Sequence, residues 1–434
     1  MAMEDKIILS ALKEQKEELN MYLSGALCAR KEEELFEWDS KLAQVVTGVR
    51  RSGKSTLCHK VLMQKGVRYG YVNFDDDRLA TIGVSELDAV LHCAYQVYGA
   101  DIKYIFFDEI QNVDGWHIFV NRLLRQGMHV VLTGSNAKLL SGELATHLTG
   151  RYNEIKLYPF SFSEFLNLHN VHLTSGAAGV LTTRESANVR QLLLEYLNNG
   201  GLPELYSINN ESNKRTYVES LIETVISKDI AKRFKIRNAD GLRRIAHYLM
   251  NNVCQEVNYK SLAEVAVLNS NMTAQKYTSY LSQAYLIHKV QKFSYKSMER
   301  ICQEKAYLID TGFIANRDNT LIGDNVGWKL ENMVLVELLR RHKSEAEDIY
   351  YYKPTARSRE VDFVICRQSV VQQLVQVSLY ISNEKTLKRE IDALVAAAEK
   401  LNCDNLTILT LDNSTEIESA GRTIHVINVI EWLV

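Results

Sequence analysis

Proline is scarce, at three residues in 434, and no Pro/Gly/Ser-rich or low-complexity tract interrupts the chain. Domains joined without such linkers are expected to pack closely rather than swing on tethers. No apolar run is long enough to cross a bilayer. The N-terminal stretch MAMEDKIILSALKEQKEELNMYL is charged and helical in pattern, unlike a signal peptide, so a cytoplasmic protein without membrane contact is expected. Charge of either sign is not in excess. The net value of −2 gives no global attraction to nucleic acid, and any such site must be a local patch. Seven cysteines occur without a C-x-x-C pair or a histidine at metal spacing, which reads as buried thiols rather than a disulfide or zinc framework.

What is present is an ordinary globular composition, 46% hydrophobic and 24% charged, over a length that exceeds a single core. Two to four domains are expected. Residues 48–55, GVRRSGKS, satisfy G-x-x-x-x-G-K-[ST]. The phosphate-cradling set is Gly48, Val49, Arg50, Arg51, Ser52, Gly53, Lys54, Ser55 and Thr56. Glycines let the backbone turn its N–H groups toward phosphate oxygens. Lys54 can reach the β- and γ-phosphates, and the Ser55 hydroxyl can ligate magnesium. A short apolar strand precedes the loop and a helical pattern (TLCHKVLMQK) follows it, placing a helix N-terminus where an anion would sit. An ordinary Gly-rich turn is the competing reading, and it does not require that context.

About fifty residues on, KYIFFDE is an apolar run closed by two carboxylates. Such a run marks a strand buried on both faces. Asp108 would hold magnesium, and Glu109 would orient or deprotonate the attacking water. The plainer reading, two acids capping a buried strand, ignores the loop upstream. Strand and helix patterns alternate from 42 to about 158, the signature of a parallel sheet covered by helices. ATP and Mg2+ are therefore the expected cofactors, and ATP hydrolysis the expected activity.

The order of these elements resembles the additional-strand branch of the phosphate-loop ATPases, which includes the AAA+ group. That resemblance implies a polar sensor after the strand HVVLT, where Ser135 or Asn136 would serve, with Thr133 a weaker candidate and a helix cap the alternative. It also implies an arginine finger. Arg151, before the last strand, stands where the group places one acting on a neighbouring subunit, hence in a homo-oligomer. An arginine pairing with a helix end is the alternative. Residues 186–240 fit a helical lid broken at Gly200-Gly201-Leu202-Pro203. Across its end the run 228–244 is strongly basic, as a solvated face or a phosphate contact.

Residues 241–310 resemble a winged helix, with TAQKYTSYLSQAYLI as second helix and Lys289, Lys292, Lys296 and Arg300 as wing cations. Such modules read duplex DNA or dock proteins. In the last third, a helical Glu331, a strand with Glu360 and Asp362, and a strand with Gln376 and Ser378 resemble the restriction-endonuclease-like fold. Active members of that fold carry an acid and a lysine where this chain has Gln376 and Ser378. Glutamine is a weak magnesium ligand and serine supplies no charge. Lys353 or Lys385 could substitute, but a vestigial site or a structural cluster is the better expectation.

Together GVRRSGKST, YVNFDD, FFDEIQNVDGW, TGSNAKLLS, GRYNEIKLYPFSFSEF, NGGLPE, LIDTGF and EVDFV resemble a widespread prokaryotic family of AAA-type ATP-binding proteins with a C-terminal domain of unknown function. The implied architecture is an N-terminal helical segment (1–40), an α/β AAA+-type P-loop ATPase domain (41–185), a helical lid (186–240), a winged-helix domain (241–310) and a degenerate restriction-endonuclease-like α/β domain (311–434). The implied function is an Mg-dependent ATPase whose nucleotide state controls modules that bind duplex DNA or a protein partner without cleavage. An ATP-controlled magnesium nuclease and a slow-turnover regulatory switch with a protein partner are the alternatives.

Overall fold

A computed structural model of the chain describes residues 3–22, 27–134, 148, 150–173, 181–315, 325–342, 347–355 and 357–434. It divides into two compact units, Met1–Tyr158 with Gln283–Tyr285, and Pro159–Ser282 with Leu286–Val434. The stretch expected as a lid lies in the second of these.

The first unit is built on a five-stranded parallel sheet of β1 (Ala43–Thr47), β2 (Tyr69–Asn73), β3 (Tyr104–Asp108), β4 (His129–Gly134) and β5 (Tyr152–Lys156). Their spatial order is β2-β3-β4-β1-β5. Helices α2 (Lys54–Gln64), α3 (Leu87–Tyr98) and α4 (Trp116–Arg125) connect them. β1 is buried along its whole length and β3 from Ile105 onward. This is why their sequences read as continuous apolar runs rather than alternating ones. Phe106 and Phe107 are fully buried on opposite faces of β3, each contributing roughly 1.5–3 kcal/mol of burial. β4 stands between β1 and β3 in the sheet, the inserted strand that defines the additional-strand branch.

The helical pattern expected over 1–40 holds only in part. Helix α1 (Met3–Tyr22) buries Ile8, Ala11 and Leu12 and packs on α3 and β2. Residues 27–30 are not helical, and only a 3-10 turn, Lys31–Leu35, follows. Arg30 is extended (φ −123°, ψ 137°), and its side chain is committed to the phosphate-binding loop, as shown below.

The second unit carries a nine-stranded sheet in the order β13-β14-β12-β11-β10-β9-β7-β8-β6. Four helices precede or interrupt its first strands: α5 (Phe162–Leu168), α6 (Thr183–Asn199), α7 (Glu211–Thr224) and α8 (Ala239–Asn251). α7 runs on into a π-helical segment, Val225–Lys232. Then come β6 (Gln255–Glu256), α9 (Tyr259–Val265), α10 (Asn271–Gln283), β7 (Ile287–Lys292) and β8 (Glu304–Leu308). β8 pairs antiparallel with both β6 and β7. Helix α11 (Val326–Arg341) leads to β9 (Glu347–Tyr352), β10 (Val361–Arg367) and β11 (Val370–Val377), all antiparallel neighbours. Helix α12 (Glu384–Leu401) crosses over to β12 (Leu406–Thr410), parallel to β11, and the hairpin β13 (Thr415–Ser419)–β14 (Arg422–Asn428) closes the sheet. A short parallel pairing of β7 with β9 fuses the two halves into one sheet.

Asp310 explains two of the recurrent motifs. Its buried carboxylate accepts from Gly201 N (2.7 Å) and Gly312 N (2.8 Å), joining NGGLPE to LIDTGF. A Cβ on Gly200 would lie 1.8 Å from its Oδ1, so no larger residue fits there.

Candidate active site

The strands β1, β3 and β4 run parallel, so their carboxyl ends share one edge of the first unit's sheet, where open α/β sheets bind ligands. β1 ends at Thr47 and the glycine loop follows directly. Gly48 has φ +150°, and a Cβ there would lie 2.1 Å from Leu157 O. Gly53, at φ +93°, caps α2 in a left-handed conformation. Both positions need glycine for the chain to turn back on itself. Arg30 braces the loop from below: its buried guanidinium donates to Ser52 O (3.3 Å) and Tyr158 O (2.6 Å).

Lys54 is the first residue of α2 and is buried, its Nζ donating to Gly48 O (3.2 Å) and Val49 O (3.1 Å). Val49 is buried, Arg50 pairs with Asp75 at 3.5 Å, and Arg51 is exposed. The Ser52 hydroxyl is buried without a hydrogen-bond partner among the described residues. Lys54, that unspent hydroxyl and the N-terminus of α2 suit a triphosphate with its magnesium, so the loop fits the implied ligand.

Beneath the loop sits a relay centred on Asp108. Its carboxylate is buried and accepts from the Thr133 hydroxyl and, at 3.3 Å, from Tyr71 OH, while the nearby Ser55 hydroxyl favours its charged form. Burial, then the adjacent Glu109 charge, pushes this acid above its ordinary range, opposed by the two hydroxyls and Lys54. Ser55 is close enough to act on Asp108, and the two would share a magnesium ion. Glu109 leaves the strand in a left-handed conformation, φ 54°, which turns its side chain off the strand direction at a small strain cost. Its backbone N–H donates to Thr133 Oγ1 at 3.1 Å, and Gln111 Nε2 donates to its carboxylate. Glu109 is half-buried.

Thr133 therefore bonds both acids at once, which a reading of β4 as a strand ending in polar residues anticipates only weakly. Ser135 and Asn136 lie outside the described residues. Tyr71, Gln111 and Arg30 are new to the site. Tyr71 was legible only as part of a strand, because its reach to Asp108 depends on the β2–β3 register.

Arg151 stands apart. It immediately precedes β5, its carbonyl accepts from Ala43 N, and its side chain is exposed. That is the amino end of β1, roughly 15 Å along the strand from the loop at about 3.3 Å per residue. The geometry separates it from its own chain's Lys54 and Glu109.

The second unit gathers the other expected residues. Glu331 projects from α11, Asp362 from β10, and Gln376 and Ser378 from the end of β11. Asp362 Oδ2 accepts from Val377 N at 2.8 Å, and Gln376 Oε1 accepts weakly from Asp362 N at 3.4 Å. Ser378 Oγ instead donates to Tyr380 O at 3.2 Å. The cation among them is Lys305 of β8, which sequence reasoning missed. Its buried ammonium bonds Glu360 and lies 3.6 Å from Glu331. Tyr307 OH donates to Glu331 at 2.8 Å. Lys353, one of the two expected substitutes, reaches Glu360 at 3.6 Å and Glu256 at 3.1 Å. Lys385 is exposed at the start of α12. Burial raises both Glu331 and Asp362; Lys305 opposes the rise, and neighbouring carboxylate charge reinforces it.

Of the four expected wing cations, two are tied up within the fold, while Lys296 and Arg300 are not. Lys292 is buried and donates to Gln303 Oε1 at 2.9 Å, and Lys289 pairs with buried Glu304 at 3.1 Å. Lys296 is exposed beside Glu299. Lys289 and Lys292 are thus spent within the fold rather than presented to a ligand.

An inserted-strand parallel sheet, a glycine loop ending in Lys-Ser and a buried Asp with a following Glu define a P-loop ATPase domain of the AAA type. A family model described as "AAA domain" matches residues 40–166, and one described as a domain of unknown function matches 190–320. The uncharacterized protein MJ1544 of Methanocaldococcus jannaschii is 33% identical over 378 residues, covering 86% of this chain and 82% of its own. An uncharacterized protein of Haemophilus influenzae is 32% identical over 407 residues, covering 91% and 95%. The chain belongs to the family of AAA-domain proteins represented by these two relatives. Among solved structures, the Walker-type ATPase PABY2304 of Pyrococcus abyssi covers 67% of this chain and 95% of its own, at 14% identity and a TM-score of 0.42. The RuvB Holliday junction branch migration motor of Thermotoga maritima covers 57% and 82%, at 14% identity and 0.29. Overlaps this loose carry no argument, and the assignment rests on the loop, the strand order and the family match.

Proposed function

We propose that this chain is a magnesium-dependent ATPase whose nucleotide state controls the second unit, which binds DNA or a protein partner without cutting it. The observation that carries the ATPase reading is the relay joining Ser55, Asp108, Thr133 and the Glu109 backbone at the carboxyl edge of the sheet. When bound with ATP, magnesium would be held by Ser55 and Asp108 and would neutralise charge on the phosphates. Lys54 would add its own positive charge to the β- and γ-phosphates, and the loop N–H groups would orient them. Glu109, aimed by Gln111 and by the Thr133 bond to its backbone, would orient the attacking water and take its proton. Thr133 would act as the sensor, because a shift at Asp108 alters its hydroxyl and hence the placing of Glu109. Arg151, at the far edge of its own sheet, would serve a neighbouring copy's site.

The order α8, β6, α9, α10, β7, β8, with β8 paired to both other strands, supports the winged-helix reading of the middle segment. The order α11, three antiparallel strands, α12, parallel strand supports the nuclease-like reading of the last segment. Absence of cleavage is supported by Gln376 and Ser378, which bring neither the acid nor the lysine of active members, while the buried Lys305 is held by Glu360 and Glu331.

The test is steady-state ATP hydrolysis by wild type and Glu109→Gln, with and without duplex DNA at low salt. Turnover stimulated by DNA and lost in the variant is the expected result. Glu109-dependent turnover indifferent to DNA would turn the reading toward a protein partner. Tight ATP binding with no turnover would replace the ATPase with a regulatory switch.

A further inference from the structure

An exposed basic run outside both carboxylate sites is the π-helical segment and the loop behind it. Lys228, Lys232, Lys235 and Arg237 are all exposed, and none pairs with a carboxylate among the described residues. Two nearby cations are paired instead. Arg243 is held by Glu223 at 2.7 Å and by Asp240 at 2.5 Å, and Lys214 by Glu211 at 2.8 Å. Lys228 and Lys232 are four residues apart in a continuous helical segment, so they share a face, and like charges at that spacing destabilise a helix by a few tenths of a kcal/mol. Lys235 stands at φ 50°, where a non-glycine residue is strained. Four exposed cations without carboxylate partners thus fall within residues 228–237.

The segment is also fixed to the helix-turn-helix. Phe234 stacks on Tyr280 of α10 with ring centroids 3.8 Å apart and planes 12° from parallel. Lys276, exposed on α10, lies 5.8 Å from the Tyr280 centroid. Arg233 lies 5.8 Å from the Phe234 centroid. The stack sets α10, with Lys276, beside the segment that carries the four cations. Both rings are half-buried and stacked on each other. What the surface presents outward is positive charge on flexible side chains, suited to repeated single negative charges rather than to base edges.

We propose that Lys228, Lys232, Lys235 and Arg237, together with Lys276 of α10, grip the phosphodiester backbone of a nucleic acid without reading its sequence. The proposal rests on the DNA-binding reading of the second unit and moves the contact from the wing to the π-helical segment. Lys289 and Lys292 are turned inward, and the basic segment adds exposed charge to the Lys296 and Arg300 that the wing retains.

Backbone contacts release counterions, and log K falls with log salt by about 0.9 per duplex phosphate and about 0.7 per single-strand phosphate. The experiment uses the full chain and a fluorescein-labelled oligonucleotide of about three helical turns, as duplex and as single strand, with anisotropy read across a potassium chloride series. The test variant is Lys232→Glu/Lys235→Glu. The control is Lys388→Glu/Lys400→Glu, the same charge change on exposed positions of α12, and both variants are compared with wild type by thermal melting. The expected result is at least about tenfold weaker binding by the test variant, with a duplex salt slope shallower by about 2 units, two contacts at about 0.9 each. The control stays within about twofold of wild type. If the test variant binds as wild type does, or if the control weakens equally, the surface is overturned while DNA binding by the second unit stands. If wild type binds neither probe at low salt, the DNA reading falls and this surface with it.

Discussion

Both units carry buried carboxylates, and the two sets are treated in opposite ways. Asp108, at the end of β3, is surrounded by neutral donors: the hydroxyls of Ser55, Thr133 and Tyr71. The cation that acts on it, Lys54, is bound to loop carbonyls. In the second unit Glu360 is bonded to Lys305 itself, which also approaches Glu331, and a backbone N–H takes up Asp362. An ionised carboxylate out of water costs several kcal/mol unless it is paired. On the proposed reading, the first site would leave part of that requirement to a ligand that brings its own cation. The second meets it from within the chain. Two clusters of similar composition can therefore differ in function, and the partner cation distinguishes them better than the acids do.

The sharpest way to break this comparison is at the first site. Lys54→Ala should abolish ATP binding or cripple hydrolysis. Glu109→Gln should keep binding and lower turnover by about 10²–10⁴-fold, the usual contribution of a positioned base. Nucleotide titration together with steady-state rates checks both. A Glu109→Gln enzyme turning over at the wild-type rate would remove Glu109 from the chemistry.

At the second site the matching substitution is Lys305→Met. Deleting one partner of a buried ion pair costs about 3–5 kcal/mol because charge is left uncompensated, and chemical denaturation would measure it. If Lys305 occupies the role of a metal, manganese should raise the melting temperature of Lys305→Met and leave wild type unmoved. Equal stabilisation of both proteins would show that the lysine does not take a cation's place.

How far each site was legible follows from how local it is. Gly48, Gly53, Lys54 and Ser55 sit at fixed spacing within one turn, and Asp108-Glu109 closes a single strand, so both were readable directly. The sheet followed from alternating patterns, although β4's place between β1 and β3 is a matter of register that no local pattern records. Arg30 reaches the loop from 22 residues upstream, across a stretch that reads as helix and is not. Lys305 meets Glu360 across 55 residues because β7 joins β9, a pairing without a sequence signature. Lys289 and Lys292 were weighed by charge alone, and their partners, Glu304 and Gln303, lie on and beside the neighbouring strand β8, beyond the reach of a local pattern.

A smaller effect is expected at the hydroxyl that ties the two acids of the first site together. Thr133→Val is nearly isosteric but removes the donor to Asp108 and the acceptor for Glu109 N. Hydrogen bonds to charged groups contribute about 1.5–3 kcal/mol, so stability should fall by that order and turnover with it. Thr133→Ser should restore both. Wild-type turnover in Thr133→Val would mean that Glu109 is aimed by Gln111 alone.

The smallest effect is a pH dependence, and it bears on whether Lys305 balances its cluster completely. Glu331 and Asp362 are both raised above their ordinary values, first by burial and then by neighbouring carboxylate charge. A raised acid holds a proton in the folded chain that the unfolded chain has released. Its contribution is therefore full below the unfolded value, about 4, and is lost as pH climbs through the folded value. Lys305 is raised as well, by Glu331 and Glu360 against its own burial, so its contribution holds up to about pH 10.4, the unfolded lysine value, and is lost only above it. Between the two, one ammonium faces carboxylates that outnumber it. Asp362→Asn keeps an oxygen for Val377 N and removes one charge. The difference in unfolding free energy between wild type and Asp362→Asn, measured from about pH 4 upward, should shift in the variant's favour as pH rises. A difference constant with pH would mean that Lys305, with the hydrogen bonds from Tyr307 and Val377, already satisfies every carboxylate in the cluster.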